Sequence, residues 1–118
     1  MARPTFLIAE PQPSEGISAR KLVLETARYN VITAYKGKEG LEMLELFPSV
    51  DGVIVHSGLG EHAYTEIIDK AAAQKPDRLI VLVSPSQTAS PAAAHYHLSS
   101  HDPKQLLDLL VERFGVPD

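Results

Sequence analysis

Three residues that could share one piece of chemistry lie far apart in the chain, each at or just past an apolar run. Glu10 follows "FLIA", His56 closes "GVIVH", and His101 follows "HYHLSS". Carboxylate and imidazole are ligands for zinc or nickel, so the three together would make a metal site. Alone, His56 is either a phosphoryl acceptor or a polar residue that caps a strand end through a hydrogen bond to a neighbour. Five histidines in 118 residues is a high count. His95 and His97, however, open the fifth apolar run and are expected at its opposite end. With no H-x₃-H pair on a helical segment either, no metal is expected.

Other chemistries fail sooner. The chain has no cysteine, which removes thiolate nucleophiles, disulfides and cysteine-ligated metals. "HSGLG" lacks the glycine two residues before serine that a nucleophile elbow needs. In "SSHD" at 99–102 serine, histidine and aspartate are sequence neighbours, and adjacency does not build a triad. The loop "SGLG" offers backbone N–H groups to an anion, or is merely a turn.

These residues need a scaffold that brings strand ends together. Strand candidates are "FLIA" (6–9), "VITAY" (31–35), "GVIVH" (52–56), "LIVLVS" (79–84) and "HYHLS" (95–99). Between them lie helical patterns. The first, residues 14–29, takes Ser14 as N-cap, with Ile17, Val23, Leu24 and Ala27 facing inward. The second, 37–47, places Leu41, Leu44 and Phe47 on one side and stops at Pro48. The third, 63–75, offers Tyr64, Ile67, Ile68 and Ala71. The last, 102–115, has Asp102 as N-cap, Pro103 at the first helical position and Gly115 as a stop. Its Leu106, Leu107, Leu109, Leu110 and Phe114 form a broad apolar face.

Alternation of strand and helix predicts an α/β three-layer sandwich on a five-stranded parallel sheet of order 2-1-3-4-5, the flavodoxin-like arrangement. One crossover is short. "PSQTASPAAA" (85–94) holds about one helical turn, with Ser90 capping. The fourth helix is therefore expected to be truncated, leaving inward positions of "LIVLVS" and of strand five partly bare. Either Tyr96 and Leu98 or the alternate set of strand five lies on that face, and Tyr96 and Leu98 are the candidate partner surface, for another protein or a second copy.

The totals narrow the class. The length suits one domain, 1–118, and 44% apolar with 22% charged residues suits a globular chain. A net charge of −4 gives no reason to expect nucleic acid or anionic membrane. No run is long enough to span a bilayer and "MARPTFLIAE" is too short for a signal core, so a cytoplasmic location is the expectation.

The sequence resembles the receiver domain of bacterial response regulators, the CheY-like family. "FLIAEPQP" looks like its first strand, and "YNVITAYKGKEGLEML" is similar to its second strand and helix, with their "V-x-T-A-x-x-G-x-E-A-L" pattern. "DGVIVHSGLGEHAYTEII" matches the third strand and helix, and "HYHLSSHDPKQLLDLL" the last pair. The resemblance implies an acidic pair that binds Mg²⁺, an aspartate ending the third strand that takes the phosphoryl group, and a lysine after the fifth strand. Here the acidic pair is Glu10 and Pro11, and His56 stands at the phosphoacceptor position. Ser99 or Ser100 replaces the lysine, and Ser84, or Val83, stands for the hydroxyl residue ending the fourth strand. The expectation is a degenerate receiver with no cofactor and no enzymatic activity. It would act through protein partners in signalling, such as a histidine kinase or an output protein. The alternative is a flavodoxin-like protein that uses His56 to bind a small molecule or metal.

Overall fold

Five short apolar runs can be buried on both faces only if helices cover each side, and the chain folds that way. The structure, a computed structural model, describes residues 3–12, 18–85 and 94–116. Strands β1 (Thr5–Ala9), β2 (Asn30–Ala34), β3 (Gly52–His56), β4 (Leu79–Ser84) and β5 (Tyr96–Ser99) alternate with helices α1 (Ala19–Thr26), α2 (Gly37–Leu46), α3 (Glu61–Gln74) and α4 (Pro103–Phe114). The strands form one sheet of order β2-β1-β3-β4-β5, and every pairing is parallel. This is the predicted flavodoxin-like topology. Among the described residues no helix is long and apolar enough to cross a membrane.

Side chains alternate between two cores, as the strand period of two requires. Leu7, Ala9, Val53, Val55, Ile80 and Leu82 face α2 and α3, meeting Leu44, Tyr64, Ile67, Ile68 and Ala71. Phe6, Ile8, Ile54, Leu79, Val81 and Val83 face the other way, toward Leu24 of α1 and Leu106 and Leu110 of α4. Phe6 stacks edge-on against both Tyr29 and Phe114, with ring centroids 5.3 and 5.2 Å away. Gly52, in register with Phe6, leaves room for that ring, since a Cβ there would fall 2.8 Å from Phe6 Cδ1.

Helix ends differ from the sequence reading in two places. Ser18 caps α1, its side chain accepting from Lys21 N; the expected cap, Ser14, and Ile17 lie outside the described residues. Phe47, expected inward, is 44% exposed. It is the C-cap of α2 with φ −129° and ψ 65°, so the helical projection has already ended one residue earlier. By contrast Asp102 caps α4 by accepting from Gln105 N, with Pro103 in the first turn and Gly115 as C-cap.

The short crossover between β4 and β5 falls largely on residues 86–93, outside the described residues, and so does its Ser90 cap. What can be described is its target. All six residues of β4 are buried, contrary to the expectation that inward positions lie partly bare. Ile80 and Leu82 are enclosed within the α2–α3 core, against which Ala94 also packs. Of these two strands only β5, at the sheet edge, is exposed, with Tyr96 41% exposed. Leu98 packs against the α1–α4 core.

Candidate functional site

The carboxyl ends of β1 and β3 lie side by side, because Ala9 pairs with Val55. Glu10 follows directly, held in line by its N–H, which donates to Ala34 O at 2.9 Å. The residue is 1% exposed. A carboxylate withdrawn from water needs a partner, and Arg20 supplies it. Arg20 Nε donates to Glu10 Oε1 at 2.8 Å, and Nη1 reaches on to Ser100 O at 3.2 Å. One guanidinium thus ties the end of β1 to the loop between β5 and α4.

Sequence reasoning missed Arg20, yet a signal was present. Cations are disfavoured at a helix N-terminus, where the macrodipole is positive. The first turn of α1 has no acidic residue but begins "ARK". An arginine placed against the dipole, ten residues after an acid at a strand end, asks for a tertiary reason.

His56 ends β3 opposite Val83 and is half-buried. Its Nδ1 accepts from Gly58 N at 2.8 Å, capping a single 3₁₀ turn, Ser57–Leu59. This is the capping role, expressed through the second residue onward. Burial pushes the imidazole pKa below its ordinary value; Arg20 and His101 push the same way, while Glu10 opposes them. Pro11, Gln12, Ser18, Arg20, Glu10 and His56 line a cleft of about 280 Å³.

The remaining candidates are spread along one edge. Ser84 is buried, and its Oγ lies 2.5 Å from His97 Nε2. His97 was expected at the opposite end of the sheet; instead its ring reaches the carboxyl end of β4, because His97 pairs with Leu82. His95 does lie at the amino end, its Nδ1 accepting from Ile80 N. Ser99 Oγ accepts from His101 N, and Ser100 N donates to Ser84 O. His101 is exposed and, when cationic, disfavours a second charge on His56. Glu10, His56 and His101 therefore share one end of the sheet, but among the described residues no three such side chains form a group able to hold a metal ion. Tyr96 lies apart from this cleft, in an open groove of about 650 Å³ with Pro76, Asp77, His95 and Arg113.

No protein-family model matches the sequence, and no curated protein sequence matches it. Solved structures do match in shape. A response regulator receiver domain protein (CheY-like) from Methanospirillum hungatei is similar at a TM-score of 0.77 and 21% identity, over 95% of this chain and 94% of that one. A response regulator from Thermotoga maritima gives 0.75 and 22%, over 94% and 97%. A response regulator receiver protein from Sinorhizobium medicae gives 0.77 and 19%, over 93% of each. With the strand order β2-β1-β3-β4-β5, these likenesses assign the chain the CheY-like receiver-domain fold.

Proposed function

We propose that this chain is a phosphorylation-independent receiver-like module that signals by binding a protein partner. The Arg20–Glu10 pair carries the reading. In the mechanism that the fold resemblance implies, the acid at this position helps bind Mg²⁺. Here its Oε1 is occupied by an internal cation, Pro11 offers no side-chain oxygen, and the acceptor position holds an imidazole whose Nδ1 is already used. The donor set does not suit Mg²⁺, which wants several oxygens in octahedral array. Metal and lysine, the two cations that neutralise the transferring phosphoryl group in that mechanism, are both without a counterpart, and Arg20 is engaged by Glu10.

Partner binding then depends on the surface that the fold presents. The groove beside Tyr96 joins an exposed aromatic to Arg113, residue types that dominate binding energy at protein interfaces. A histidine kinase, an output protein or a second copy fits a receiver-like role. The test is intact-mass spectrometry after incubation with acetyl phosphate and Mg²⁺. The expected result is no phospho-adduct; a stoichiometric adduct would overturn the proposal.

A further inference from the structure

A backbone N–H can donate to an imidazole nitrogen only while that nitrogen keeps its lone pair. Gly58 N donates to His56 Nδ1 at 2.8 Å, so the ring is neutral, with its proton on Nε2. This bond caps the 3₁₀ turn, whose other end is closed by Gly60 N donating to Ser57 O at 3.0 Å. Gly60, at φ +98°, then leads straight into α3. The turn is also wedged in place. A Cβ on Gly58 would fall 2.9 Å from His56 Nδ1 and 2.9 Å from Pro11 Cγ, so the Gly58 backbone sits between the imidazole and the loop that follows β1.

We propose that His56 is an acid-operated latch: its neutral ring holds the β3–α3 turn closed beside the cleft, and its protonation releases that turn. Protonation at Nδ1 converts the acceptor to a donor. Two N–H groups then face each other across a separation set for one hydrogen bond, and the turn must move. Because Pro11 backs the turn, movement reaches the loop after β1 and the rim of the cleft.

The surrounding charges oppose a second cation on balance. Arg20 from α1 and His101 from the β5–α4 loop repel it, and Glu10 at the end of β1 attracts it. Glu10 is, however, already engaged by Arg20. Val83 of β4, in register with His56, is apolar, and the turn itself, Ser57–Leu59, carries no charged group. The latch is therefore shut at neutral pH and opens only in acid. It goes beyond the signalling role proposed above and holds whether or not that role does.

The experiment is a pH titration of the full chain by nuclear magnetic resonance, from about pH 8 to about pH 4.5. It follows the His56 ring nitrogens and the amides of Gln12, Gly58, Leu59 and Gly60. All should shift with one shared midpoint below the ordinary histidine value of 6.5, and exchange protection of the Gly58 amide should drop about tenfold below it. In His56→Asn the side-chain oxygen still accepts from the residue two further on, as in an Asx turn, but does not titrate, so those shifts should vanish. His101→Ala should raise the midpoint. If His56 titrates while Gly58 does not respond, or if His56→Asn keeps the transition, the latch is refuted. A His56 that stays neutral to the end of the range leaves it no working interval and refutes it equally.

Discussion

Arg20 Nε and Glu10 Oε1 lie 2.8 Å apart, with the arginine side chain 14% exposed and the glutamate 2%. The same guanidinium hydrogen-bonds Ser100 O. A cation supplied by the chain itself thus joins the first strand to the loop before the last helix.

Removing that cation leaves a carboxylate buried without its partner. Arg20→Ala should destabilise the domain by about 3 kcal/mol, the lower end for breaking a buried pair. Glu10→Leu with Arg20→Met, which removes both charges, should cost clearly less than Arg20→Ala alone. Urea unfolding of the three proteins checks this. Equal losses in both variants would mean that the pair contributes packing and not charge neutralisation.

Metal binding should be restorable only in steps. His56→Asp adds a carboxylate, but Glu10 remains engaged by Arg20 and Pro11 still has no oxygen to offer. No Mg²⁺-dependent change in amide shifts is expected for that single variant. Adding Arg20→Ala and Pro11→Asp frees one ligand and supplies another, so the triple variant should bind. Binding by His56→Asp alone would show that Arg20 yields to the metal.

How far the site could be read depended on which relations are local. The α3 stripe of Tyr64, Ile67, Ile68 and Ala71 is buried as read, and Asp102, Pro103 and Gly115 bound α4 as read, because periodicity and capping are near-neighbour physics. Parallel pairing followed from the alternation of strand and helix. Arg20 and His97 were not found, since their partners, Glu10 and Ser84, lie 10 and 13 residues away across other elements. Phe47 was misplaced because a C-cap breaks the angular projection on which the stripe depended.

A second buried cation lies on the opposite side of the sheet's length, at the start of β4. Arg78 is 1% exposed and donates to Ala71 O, Gln74 Oε1 and Pro48 O, while its Nε has no partner among the described residues. Its guanidinium binds the last turn of α3 to the loop after α2. Arg78→Met keeps the apolar stem but orphans those acceptors, and should cost about 2–3 kcal/mol in urea unfolding. A loss within experimental error would mean that water replaces the guanidinium.

Stability should also fall in acid through His56. Its folded pKa lies below 6.5, chiefly from burial. Above 6.5 the ring is neutral in both states and imposes no penalty. As pH falls from there the unfolded chain takes the proton first, and stability drops until the folded ring is protonated as well. Below that lower value the loss is constant. Comparing unfolding free energies of the parent and His56→Asn at several pH values isolates the effect. A parent that loses stability relative to His56→Asn as pH rises would reverse the sign and contradict the burial argument.

The order β2-β1-β3-β4-β5 also governs time. With every pairing parallel, no two strands can meet through a hairpin, and each contact must wait for a crossover to close. β1 gathers partners whose registers begin at Asn30 and Gly52, so the middle of the sheet is assembled from distant pieces and opens only when the whole domain does. β5 is four residues long and is bonded to β4 alone in the sheet order. Like β2 at the other edge, it can open by losing one neighbour. The exposed Tyr96 therefore sits on the shorter of the two edge strands, so a partner bound there would hold that edge closed.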